Sequence, residues 1–174
     1  MRVLKYLWFH FIMLATGWLP DLRPVLRLRG WLARPAFKSC GNNFQIARNV
    51  TINFCSCLEI GDDVYIAAGC WLHAGGGITI EDEVQLGPCV VLVSGDHTRR
   101  DGSFRFGPSR VGPIHLGRGC WLAAHATVTK DVTIGPGALL AANSVATFDI
   151  PPMALAGGVP ARVIPQQSRI EVVG

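Results

Sequence analysis

Five histidines and six cysteines are the side chains of this 174-residue chain best able to move protons or hold a soft metal. His97 stands apart from the others. It closes the segment Ser94-Gly95-Asp96-His97, and directly behind it an otherwise regular pattern stops over residues 98–112. An imidazole has an ordinary pKa of about 6.5, so it can take up a proton and return it at neutral pH. Long interruptions of a tight scaffold are where binding groups concentrate. The cysteines point elsewhere. No Cys-x-x-Cys spacing occurs, and Cys55-x-Cys57 is the closest pair. Cys70 and Cys120 occupy a place filled by Val64, Val84, Ala138 and Ser144 in other units, where a buried thiol packs well. Reduced packing cysteines in a cytoplasmic protein, and no metal, are the expectation.

The pattern that His97 interrupts is a repeat of about twenty residues, and internal repetition decides architecture early. Its copies open at Cys40-Gly41-Asn42-Asn43-Phe44, Ile60-Gly61-Asp62-Asp63-Val64, Ile80-Glu81-Asp82-Glu83-Val84, Leu116-Gly117-Arg118-Gly119-Cys120 and Ile134-Gly135-Pro136-Gly137-Ala138. Within a copy an aliphatic residue recurs every six positions: Ile60, Ile66, Leu72; Ile80, Leu86, Leu92; Leu116, Leu122, Val128. Each six-residue unit reads as a short strand and a tight turn. Three units make one triangular coil, and coils stack about 4.8 Å apart as parallel sheets. The fold expected is all-β: a parallel β-helix of about five coils over 40–151, with the 98–112 loop inserted. Residues 1–39 form an N-terminal helical segment, and 152–174 a C-terminal tail.

Composition supports this. At 49% hydrophobic and 16% charged, with 20 Gly and 11 Pro, the chain is neither a helical bundle nor disordered. The net charge is +4, and the arginines divide between the N-terminus and residues 99–110. No continuous basic stripe offers a face for nucleic acid; an anionic small molecule suits the charge better. Residues 4–19 are almost wholly apolar, too short for a span of about 20 residues and without a signal-peptide cleavage site. Leu22, Val25, Leu26, Leu28, Trp31 and Leu32 then alternate with Arg23, Arg27, Arg29 and Arg34, an amphipathic basic helix. This segment either caps the open end of the stack or lies on an anionic membrane surface.

Ile60-Gly61-Asp62-Asp63-Val64-Tyr65-Ile66 and Ile134-Gly135-Pro136-Gly137-Ala138-Leu139-Leu140 resemble the hexapeptide repeats of left-handed β-helix acyltransferases. The Ser94–His97 segment with its loop, Gly117-Arg118-Gly119-Cys120-Trp121-Leu122, and Ala156-Gly157-Gly158-Val159-Pro160-Ala161-Arg162 resemble the galactoside, maltose and colanic-acid O-acetyltransferase branch. Leu28-Arg29-Gly30 and Phe37-Lys38-Ser39-Cys40-Gly41 are similar to its polysaccharide-cluster members.

The resemblance implies a left-handed helix and acetyl transfer from acetyl-CoA to a sugar or sugar-nucleotide hydroxyl, in surface polysaccharide synthesis at the inner face of the membrane. His97 matches the family's general base, which takes the hydroxyl proton during attack. Some relatives carry Ser-His-Asp-His here; Gly95 replaces the first histidine. Main-chain groups at Ala124 and Ala142 match contacts to the pantetheine arm, Thr147 a cofactor-contacting threonine, and Arg162 a cation near the nucleotide phosphates. Phe148 stands where a lysine is usual. Trp121 matches a tryptophan beside the active site, where it either meets substrate or packs on the loop or a neighbouring subunit. The family is trimeric, and His97 of one subunit meets the cofactor groove of the next. The coil after the loop is expected to bring Trp121 and Ala124 back beside His97. His125 is a candidate near the groove; His73 and His115 read as solvated strand residues. Gamma-class carbonic anhydrases share the fold, but their His-x-x-x-x-His zinc spacing is absent. A non-sugar acceptor and a non-catalytic scaffold are the alternatives.

Overall fold

The computed structural model describes residues 2–165. Each coil lends one short parallel strand to each of three faces. On the first face Ser39–Cys40, Leu58–Ile60, Ile78–Ile80, Ile114–Leu116 and Val132–Ile134 pair in that order. Gln45–Ile46, Tyr65–Ile66, Gln85–Leu86, Trp121–Leu122 and Leu139–Leu140 run along the second. Thr51–Asn53, Trp71–His73, Val91–Val93, Thr127–Thr129 and Val145–Ala146 run along the third.

The register explains the six-residue spacing. Ile60 pairs with Ile80, Ile80 with Leu116, and Leu116 with Ile134, so one inward aliphatic sits over the next. The Ile80–Leu116 pair shows that the insertion leaves the stack without a slip. Two further ladders, Ile46-Ile66-Leu86-Leu122-Leu140 and Ile52-Leu72-Leu92-Val128, complete a core that excludes water. Each such side chain stabilises by about 1.5–3 kcal/mol on burial. At the corners, Asn43, Asp63, Asn49 and Asn143 adopt left-handed φ of 51–58°, the region that Asn and Asp enter most readily among residues with a side chain. Cys89 and His125 hold equivalent corner positions at φ 57° and 60°.

The result is the left-handed β-helix, with five full coils. The coil pattern also runs past residue 151. Ile150 bridges to Ile134, and Leu155–Gly158 pairs with Leu139–Leu140, beginning a sixth coil. Ala161–Val163 folds back antiparallel on that strand, so the second sheet ends in a hairpin.

At the other end, α1 (Arg2–Thr16) and α2 (Arg23–Ala33) cover the first coil. Phe9, Phe37 and Phe44, all buried, pack at successive centroid distances of 5.8 Å, the first pair tilted and the second edge-on. A side chain at Gly30 would strike the Phe44 carbonyl, so glycine lets α2 lie directly on the coil. The outward side of α1 stays apolar: Leu4, Leu7, Phe11 and Leu14 are exposed.

The cysteines pack as thiols. Burial pushes Cys55, Cys70 and Cys120 up to about 12 and Cys40 up to about 11. A thiol reacts as its thiolate. Titration with a disulfide reagent at pH 8 should therefore label Cys57 and Cys89 first, and the other four only as the protein unfolds. Six equally fast thiols in the native protein would contradict this packing.

Candidate active site

The 98–112 insertion is built on a β-hairpin. Gly95–His97 pairs antiparallel with Ser109–Val111, setting Asp96 against Arg110 and His97 against Ser109. It leaves the helix where the third face turns toward the first, between the third and fourth coils. Ser94 latches its base. Fully buried, its hydroxyl donates to the His73 carbonyl at 2.6 Å and accepts from the Gly76 N–H at 2.9 Å. Its carbonyl accepts from the Gly112 N–H where the hairpin returns. Asp96 lies 3.6 Å from Lys130 Nζ, which also bonds Asp131 at 2.8 Å. The hydrogen bond that Lys130 donates to Asp131, together with the charges of Asp131 and Asp96 and against the opposing effect of burial, raises the Lys130 pKa. Farther out, Arg99 stacks on Phe104 at 4.9 Å and Arg105 on Phe106 at 5.7 Å.

His97 is exposed and lines a cleft of about 190 Å³ shared with Trp71, His73, Gly95, Asp96 and Ser109. No group among the described residues hydrogen-bonds its ring, so both nitrogens remain available to a ligand. Neither Trp121 nor Ala124 lines this cleft. Trp121 is an outward residue of the second face, flanked by Gln85 and Leu139. Ala124 and Ala142 sit one coil apart at the corner between the second and third faces. Gly87 stands beneath them: a Cβ there would come within 2.9 Å of the Ala124 nitrogen. His125 is exposed at the same corner, its N–H bonded to the Pro88 carbonyl. Thr147 opens a turn of the same kind as the one His97 leaves from, two coils on. Arg162 extends its guanidinium over the Phe148 ring at 5.2 Å. Within the chain the predicted residues thus fall apart: His97 in its cleft, Ala124 and Ala142 at another corner, Trp121 on the second face, and Thr147 and Arg162 toward the last coil.

Two histidines depart from the solvated reading. His115 Nε2 lies 2.9 Å from Glu81 Oε1. His73 lies in the His97 cleft, and its Nδ1 is buried with no hydrogen-bond partner. No group of three or more potential ligands is arranged for a metal among the described residues.

No family model matches the chain. Galactoside O-acetyltransferase of Escherichia coli K12 is 34% identical over 134 residues, 77% of this chain and 59% of that protein. The chain thus spans about three-fifths of that relative's length. WcaF of the same organism, named for acetyl transfer in colanic acid biosynthesis, is 28% identical over 165 residues, 95% of this chain and 88% of its own length. A solved galactoside acetyltransferase in complex with coenzyme A superposes with a TM-score of 0.82 at 28% identity, covering 95% of this chain and 82% of that one. Coils and similarity agree on one fold, the hexapeptide-repeat left-handed β-helix, and over most of its length the chain is similar to acetyltransferases built on it.

Proposed function

We propose that the protein is an acetyl-CoA-dependent O-acetyltransferase acting on a sugar hydroxyl, with His97 as general base. The observation that carries this reading is an unpartnered imidazole at a cleft roofed by a hairpin and fixed to a rigid β-helix. A sugar hydroxyl is a weak nucleophile at neutral pH. His97 takes its proton as the oxygen attacks the thioester carbonyl, and returns that proton to the sulfur as the C–S bond breaks. Backbone N–H groups at the corners are suited to stabilise the oxyanion.

The residues at hand suit the donor. Acetyl-CoA supplies an activated acyl group as a thioester. The small side chains at Ala124 and Ala142 leave the corner backbone open to a narrow arm, with Thr147 beyond them. Arg162 supplies a cation for phosphate. Because the cleft and this corner belong to different faces of one protomer, we assign the complete site to a homotrimer, His97 of one subunit facing the groove of the next. Trp121, exposed on the second face, then stands beside the acceptor. Similarity to a colanic-acid relative supports surface polysaccharide as the setting.

The test is thiol release from acetyl-CoA in the presence of a glycoside panel, with light scattering for mass. Release that no sugar accelerates, or a monomeric active species, sinks the reading.

The exposed apolar side of α1, with Arg2 and Lys5 on the same helix and Arg23 and Arg27 exposed on α2, suits contact with an anionic membrane. No helix among the described residues is long and apolar enough to cross one. The protein should float with phosphatidylglycerol vesicles, and Leu7→Asp with Phe11→Asp should at least halve the bound fraction. Equal flotation removes the membrane contact from the proposal.

A further inference from the structure

We propose that Trp71 and His73, braced by Phe54, form the acceptor platform of the His97 cleft, and that it takes a single neutral hexopyranoside ring. The inference rests on reading that cleft as the acceptor site. The outward side of the third face carries small residues in its other coils: Thr51 and Asn53 in the first, Val91 and Val93 in the third, Thr127 and Thr129 in the fourth. Only the second coil places rings there, in register with the strand that leads into the hairpin. The Trp71 and His73 rings lie 6.0 Å apart at 29°, and Phe54 meets His73 edge-on at 5.0 Å. Phe54 holds φ 60° and ψ 44°, an unfavourable backbone for a bulky residue, and stays 51% exposed. Its ring is therefore spent behind the cleft, edge-on against His73, rather than in the core.

His73 is seated by glycines. A Cβ at Gly75 would come within 2.9 Å of its Cε1, and one at Gly95 within 3.5 Å. The space beside His97 that a side chain at position 95 would fill is thus shared with the His73 ring. Among the described residues its Nδ1 is the one buried side-chain nitrogen or oxygen without a partner. Such groups are rare in folded proteins. A ring that stacks an aromatic wall and offers polar edges is the ligand chemistry that matches. A pyranose presents an apolar C–H face to Trp71, and its hydroxyls reach the exposed His97 imidazole, Ser109 and Asp96. Among the described residues no lysine or arginine lines the cleft, and Asp96 does, which disfavours a sugar phosphate. The volume of about 190 Å³ is below the ~300–1,000 Å³ of pockets for drug-sized ligands, the scale of one ring.

Saturation-transfer NMR on the full chain tests this with methyl galactoside, methyl glucoside and methyl mannoside, and with glucose 1-phosphate as the anionic comparator. At least one methyl glycoside should receive saturation at its ring C–H protons. Trp71→Ala should weaken that binding about tenfold, Trp71→Phe should retain most of it, and His73→Leu should weaken it severalfold. Each variant is first shown to melt with wild type. The platform is overturned if no methyl glycoside binds wild type, if Trp71→Ala binds as well, or if glucose 1-phosphate binds better than all three. Failure of the catalytic reading is visible separately, as acetyl transfer that survives His97→Ala.

Discussion

His97→Ala should lower kcat for acetyl transfer to a sugar by about 10²–10⁴-fold, the usual contribution of a positioned general base. The KM for acetyl-CoA should change little. The groups assigned to the donor, Ala124, Ala142, Thr147 and Arg162, lie at other turns of the helix and do not touch His97. Folding should also be unaffected, because the imidazole is exposed and makes no hydrogen bond in the structure. Some catalysis should persist, since a hydroxyl held beside a thioester still reacts faster than in water. Thiol release measured with saturating sugar separates these effects. A variant within threefold of wild type would mean that His97 is not the base, and a matched rise in acetyl-CoA KM would mean that it binds the donor instead.

How far the site could be read from the sequence depends on what surrounds each residue. The ladders were legible because an inward position in a coil has the same neighbours in every copy, so Ile60, Ile80, Leu116 and Ile134 repeat the same chemistry. The small fifth position explained Cys70 and Cys120 for the same reason. His97 was legible as the residue at the break. The start of a sixth coil was not: Pro151, Pro152, Gly157 and Gly158 break the aliphatic pattern, and the strand is defined by its pairing to Leu139–Leu140. The hairpin within the insertion escaped notice because its strands are short and lack alternation. His73 was misread for a tertiary reason. An outward strand residue normally meets water, but this one meets a ring from the preceding corner and the base of an inserted hairpin. Nor does any pattern along one chain decide which corner of a neighbouring copy would face His97.

Arg29 was the other misreading, and it leads to the second large effect. Grouped with Arg23, Arg27 and Arg34 in the basic pattern of an amphipathic helix, it is completely buried. The helix period explains this: Leu26 lies three residues before it and Ala33 four after, both buried on the same side. Its guanidinium donates to the Thr16 hydroxyl at 3.0 Å, the Thr16 carbonyl at 3.1 Å, the Ile46 carbonyl at 2.9 Å and Asp21 at 2.9 Å. One side chain thus ties the end of α1, the start of α2 and the first coil together. Its charge also lies at the C-terminus of α1, where the helix dipole favours a cation. Arg29→Ala strands these acceptors and opens a cavity. Breaking a buried pair in this way costs about 3–5 kcal/mol. Asp21 is 25% exposed and keeps Arg48 at 3.6 Å, so the lower end applies. At about 2–4 °C per kcal/mol for a chain of this size, the melting temperature should fall by roughly 6–12 °C. Arg48→Ala is the matched control: its pair with Asp21 is more exposed and should be worth under about 1 kcal/mol. In a solenoid each coil leans on its neighbours, so loss of the cap should show first as hydrogen exchange in the strands of the first coil. Equal melting of the two variants, or exchange that opens first at the fifth coil, would show that the cap is not held by Arg29.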